Sequence, residues 1–170
     1  MAAFAFVLVT LLASIHIETT VGSMGVLAPV TALAVFYFST TFGWRAGVIA
    51  GVFGGAALDA IYGRPFPGTS TEMVVVAAMG RFWLHKGDPS SLLPNLIPGA
   101  AVAFVVSFPQ LAWNAWSVND FFRDTSLLLF CVGFGAFALP LMIQVLDYFS
   151  GKFSLPKYKT ARADAKSGTT

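Results

Sequence analysis

Charge is the scarcest property of this sequence. Asp, Glu, Lys and Arg make up 11% of its 170 residues, against roughly 25% in an ordinary soluble domain, which excludes a water-exposed globular surface over most of the chain. Twelve charged residues precede Phe149 and six follow it. Cysteine is nearly missing. The lone Cys131, inside an apolar run, rules out an internal disulfide frame and a thiolate metal site, and leaves the redox compartment open. Catalytic motifs are missing as well: there is no HExxH, no GxSxG elbow and no Walker loop. The acids do not cluster in the pairs that a metal-dependent intramembrane transferase requires. No enzyme activity, cofactor or metal is expected. The net charge of +2, with five of ten cations in the last twenty residues, points to a membrane surface or the cytosol rather than nucleic acid.

Apolar residues fill the space that charge leaves. They form 56% of the chain, with a mean hydropathy of +0.75, and they come in runs close to the ~20 residues that cross a hydrocarbon core about 30 Å thick. Six such segments are expected: about Ala2 to Ile17, stopping at Glu18; Gly25 to Phe42, with Pro29 in its first turn; Arg45 to Tyr62; a fourth from Thr69 to the His85-Lys86-Gly87-x-Pro89 stop signal; Leu96 to Trp116; and Ser126 to Phe149. Thr69-Ser-Thr-Glu72 has capping-box spacing. Pro109 and Pro140 are expected to kink their helices. Met1 to Ile17 carries no Lys or Arg ahead of its apolar region, so it reads as a retained helix, not a signal peptide. The expectation is an all-α, polytopic integral membrane domain over 1–150, followed by a basic, disordered cytoplasmic tail over 151–170.

Orientation follows from the cations. Arg45, Arg81, Lys86 and the five tail cations fall on the side of the termini, whereas Arg64 and Arg123 fall on the other, so both termini are expected to be cytoplasmic. Trp44 and Trp83 then belong to an inner aromatic belt, and Trp113 and Trp116 to an outer one. His16 and His85 land on opposite sides, which argues against a shared metal site. Asp120, Arg123 and Asp124 read as a solvated turn, with Asp124 or Thr125 capping the sixth segment.

The third segment carries the clearest pattern. Gly47, Gly51, Gly55, Asp59 and Gly63 recur every fourth residue, tracing one stripe along a helix. Such stripes let membrane helices approach closely, either within the chain or at a subunit interface. Asp59 falls in the last helical turn, where the dipole disfavours an anion, so a donor should hold it. Arg64 or the free N–H groups opening the fourth segment are the candidates. A hairpin clamp and a ligand or proton role both fit Asp59, Arg64 and Glu72, and Glu72 is also the acid of the capping box. The tail can meet anionic lipid headgroups, dock, or stay solvated.

The stretch Gly51-Val-Phe-Gly-Gly55-Ala-Ala-Leu58-Asp59-Ala-Ile-Tyr-Gly63-Arg64-Pro65-Phe-Pro-Gly68 resembles the signature region of the bacterial rod shape-determining MreD family. The likeness reaches back through Arg45 to Pro29. The turn Pro65-Phe66-Pro67-Gly68 is one residue longer than the family's usual form, and the last two segments match only as hydrophobic helices. The resemblance implies a non-enzymatic component of cell-wall elongation in the cytoplasmic (inner) membrane. It would bind MreC and connect MreB filaments to the glycosyltransferase and transpeptidase of peptidoglycan synthesis. It also implies a fold similar to the substrate-binding subunits of energy-coupling-factor transporters, which makes a vitamin-type carrier the alternative. A carrier needs several polar side chains converging in a closed pocket, and the outer half supplies chiefly Asp59, Arg64 and Glu72. The scaffold is therefore preferred, with the third and fourth segments as the tightest hairpin and Gly47, Gly51, Gly55, Asp59, Gly63, Arg64, Pro65 and Gly68 as its packing or partner face.

Overall fold

The computed structural model describes residues 2–64, 67–84, 93–118 and 121–167. Among these all regular structure is helical: α1 (Ala2–Ser23), α2 (Val30–Thr41), α3 (Trp44–Tyr62), α4 (Gly68–Leu84), α5 (Leu93–Val118), α6 (Phe121–Lys152) and α7 (Tyr158–Ser167). Four of them are long and apolar enough to cross a membrane: α1, α3, α5 over Asn95–Ala112, and α6. Their lipid-compatible faces carry bare apolar side chains such as Phe4, Leu12, Phe53, Phe137 and Leu141. Such a distribution fits a bundle with hydrocarbon around it.

At the centre stands α2, in which every residue from Thr31 to Thr41 is buried. With 12 residues it extends about 18 Å, shorter than the segment expected from Gly25. Pro29 sets the difference. It lacks an N–H and bars helix from the residue before it, so it stands immediately ahead of Val30. Gly25, at φ +80°, turns the chain out of α1, a conformation open to glycine at little cost.

The first helix also runs past its expected stop. Glu18 does not end α1, because its carboxylate accepts the Thr31 N–H at 2.8 Å and Thr19 returns its hydroxyl to the Ile15 carbonyl. The helices α5 and α6 are likewise longer than expected. They pair backbone to backbone, since a Cβ on Gly99 would strike the Gly135 carbonyl and one on Gly135 would strike Ala103. The α3–α4 hairpin is therefore not the only close pair. Pro98 and Pro109 lie inside α5 and Pro140 inside α6. Asp124 is buried within α6, with Arg123 Nε at 3.6 Å, and so is not part of a solvated turn. The stop signal over 85–89, Asp120, and the side chains of Trp113 and Trp116 lie outside the described residues.

The tail departs most from expectation. Instead of a disordered segment it forms α7, which packs against α2 and α4. Tyr158 and Arg162, one turn apart, are both buried. The Arg162 guanidinium donates to Asn95 Oδ1 at 2.9 Å, contacts the Tyr158 hydroxyl at 3.2 Å and lies over the Trp83 ring at 5.9 Å. Trp83 thus serves as a packing plate for a cation. The Tyr158 N–H donates to Asp147 Oδ1 at 2.8 Å, and the Tyr37 hydroxyl donates to the same oxygen at 2.9 Å. Burial pushes the Tyr158 phenol above its ordinary range, and Arg162 opposes the shift. The α1 start reaches this same end of the bundle, where Phe6 meets Phe42.

Replacing Arg162 by Ala removes a buried hydrogen bond to Asn95 Oδ1, which keeps the Tyr158 hydroxyl, and the cation over Trp83. Stability should fall by about 1–3 kcal/mol, and trypsin should cut after Lys157 and Lys159 faster than in the native protein. An unchanged cleavage rate would contradict the docked α7.

Candidate functional site

The site is built on the missing side chains of α3. A Cβ on Gly47 would lie 2.5 Å from the Cβ of Ser39 on α2, and one on Gly55 would lie 2.5 Å from the Ser70 backbone on α4. Gly51 faces Met73 at 3.1 Å. The stripe is thus spent on packing inside the chain. Gly54, off that stripe, faces Leu11 and Thr31, so α3 is notched on two sides. On α4, Gly80 faces Ser39, whose hydroxyl donates to the Ala77 carbonyl. Contact this close supplies van der Waals attraction where lipid provides no hydrophobic drive.

Gly63 and Gly68 do something else. Neither has a neighbour within 4 Å of its would-be Cβ among the described residues. Gly63 ends α3 in the left-handed conformation at φ 62°, the usual glycine helix stop. The Asp59 carbonyl accepts the next N–H, that of Arg64, at 2.8 Å, which fixes where the Arg64 side chain leaves the backbone. Pro65 lies outside the described residues.

Asp59 is buried, and its Oδ1 accepts the Thr69 N–H at 3.1 Å. It thereby satisfies one of the four orphan donors at the start of α4 and sits in the favourable end of that helix's dipole. Its Oδ2 has no hydrogen-bond partner among the described residues. Glu72 does not close the expected capping box, because Asp59 has taken the donor that Glu72 would reach. Glu72 Oε2 instead accepts Gln110 Nε2 of α5 at 3.3 Å. Arg64 lies over the Tyr62 ring at 4.7 Å and points Nη1 to Thr69 Oγ1 at 3.5 Å.

These groups border open space. A cavity of about 490 Å³ is lined by Asp59, Arg64, Thr69, Glu72, Pro109 and Gln110, with Gly63 and Gly68 in its wall. A second, of about 220 Å³, lies between Glu18, Tyr62, Ser107 and the 25–29 loop, and Arg64 and Gln110 line both. Glu18 and Gln110 were not among the residues singled out from the sequence. Glu18 carried a signal, being an acid on an otherwise apolar helix, whereas Gln110 reaches Glu72 only through tertiary packing. The structure brings Asp59, Arg64 and Glu72 to one cavity. Among the described residues no group of three His, Cys, Asp or Glu side chains is placed to hold a metal ion. The arrangement offers carboxylate acceptors, a guanidinium and an amide, which suits recognition of a polar group.

The chain matches no family model, no curated protein and no solved structure. Its fold class is that of a helical bundle with four helices long and apolar enough to cross a membrane, and its functional reading rests on the residues themselves.

Alanine at Gly55 should cost about 1–3 kcal/mol through overpacking against the Ser70 backbone. Alanine at Gly133, which faces open space in α6, should be neutral or stabilising by up to about 1 kcal/mol. Thermal unfolding of the two purified variants checks this, and equal midpoints would refute it.

Proposed function

We propose that this protein is a non-enzymatic scaffold of the MreD kind in the inner membrane of a bacterium, binding MreC and linking MreB filaments to the glycosyltransferase and transpeptidase of cell-wall elongation. The observation that supports this reading is that the residues carrying the MreD resemblance act as one mechanical unit. Gly51 and Gly55 seat α4 on α3, Gly63 ends α3, and Asp59 caps α4. A preformed rigid hairpin is what a docking platform needs, because pre-organisation lowers the cost of ordering on association.

In this reading α1 to α6 each cross the bilayer, with α2 and α4 shielded by their neighbours and α2 extended by the 24–29 loop. Both termini face the cytoplasm. That side then gathers Arg45, Arg81 and the cations of α7, as the bias of positive charge to cytoplasmic flanks requires. The alternative, the substrate-binding subunit of a vitamin-type transporter, draws on the cavity beside Asp59 and Glu72.

Affinity purification of the tagged protein from membranes should bring down a single-pass partner with a periplasmic coiled coil. Gly51→Leu or Gly55→Leu should lower its recovery severalfold, because a side chain there forces α4 off α3. Asp59→Asn, which keeps an oxygen for Thr69, should lower it less. Equal recovery with all three variants would count against the scaffold, and saturable vitamin binding abolished by Asp59→Ala would favour the carrier.

A further inference from the structure

Asp59 is 2% exposed, yet the protein uses only one of its carboxylate oxygens. Oδ1 caps α4, whereas Oδ2, equally withdrawn from solvent, meets no donor among the described residues. A buried anionic oxygen is costly unless a cation or donor reaches it. Arg64 is directed elsewhere, to the Tyr62 ring and to Thr69 Oγ1. The cavity of about 490 Å³ that Asp59 lines holds one more carboxylate, Glu72, and this single guanidinium among its described residues. Its wall is bare where Gly63 and Gly68 stand, and it extends to Pro109, which is exposed on the flank of α5.

The site is thus asymmetric in charge: two carboxylates on the α3–α4 side, one guanidinium beside them, and the Gln110 amide opposite. A lone cation would leave Arg64 unanswered, and a lone anion would meet Asp59 and Glu72. We propose that this cavity binds a zwitterion in which a primary ammonium and a phosphate are joined by a short linker. The ammonium sits between Asp59 Oδ2 and Glu72, and the phosphate is taken by Arg64, whose planar fork suits phosphate oxygens. Such a group exists free, as an aminoalkyl phosphate, and as the headgroup of an aminophospholipid. The opening beside Pro109 admits the latter sideways. The inference goes beyond the scaffold reading and holds without it.

The test uses the full-length protein purified in detergent. Thermal unfolding is followed with added phosphoethanolamine, and separately with ethanolamine or inorganic phosphate. In parallel, native mass spectrometry follows retention of phosphatidylethanolamine against phosphatidylglycerol from mixed micelles. Phosphoethanolamine should raise the midpoint by about 5 °C at a hundredfold excess over its dissociation constant, with each half-molecule giving under half that shift. Alternatively, phosphatidylethanolamine should be retained at least about fivefold over phosphatidylglycerol. The first result identifies the free compound, the second the lipid, and either supports the proposal. Asp59→Asn keeps the oxygen that caps α4, and Glu72→Gln keeps an acceptor for Gln110, so both should fold while weakening the response about tenfold. No shift together with equal retention of the two lipids overturns the proposal. So does an undiminished response in Glu72→Gln.

Discussion

The bundle depends on one repeated interaction, a carboxylate near the end of one helix that accepts an N–H at the start of the next. Glu18 of α1 holds Thr31 of α2, Asp59 of α3 holds Thr69 of α4, and Asp147 of α6 holds Tyr158 of α7. Each acid lies within the last two turns of its own helix, where the dipole is unfavourable, and faces the opening turn of its successor, where it is favourable. In an apolar surrounding a helix start with free N–H groups is expensive. These three acids relieve it and, by the same bond, fix how α2 returns alongside α1 and α4 alongside α3, and where α7 begins after α6.

Glycine and carboxylate act together in this scheme. The notches at Gly47, Gly51 and Gly55 let α4 and α2 reach the α3 backbone, and only that approach brings Thr69 within range of Asp59. The short α2 shows the same dependence. Buried from Thr31 to Thr41, it has almost no outward surface of its own, so Glu18 at one end and Tyr37, bound to Asp147, at the other secure it to α1 and α6. The α7 helix then closes the end of the bundle where α1 begins, through Arg162 on Asn95 and Trp83.

Much of this was legible in the sequence. The apolar runs announced a helical membrane bundle, the four-residue spacing marked the packing face of α3, and an acid in the last turn of α3 called for a donor on the next helix. The misread features were those whose partners are remote. Glu18 looked like a helix stop because its acceptor role depends on Thr31, which is reached only after the chain turns at Gly25. Glu72 matched a local capping box, but Asp59 occupies that donor from another helix. The Gly99–Gly135 contact was readable only as small residues at four-residue spacing, Gly99 with Ala103 and Cys131 with Gly135. The tail misled most. Its composition is that of a solvated segment, and nothing local shows that Tyr158 and Arg162, one turn apart, find Asn95, Trp83 and Asp147 waiting.

Hydrogen–deuterium exchange of three single alanine variants, at Glu18, Asp59 and Asp147, tests the central interaction most directly. If carboxylates are handed from helix to helix, each variant should speed exchange in the first turn of the following helix, α2, α4 or α7 respectively, and leave the other two starts protected. Exchange that rises only in the helix carrying the substitution, or equally across all three starts, would contradict the account.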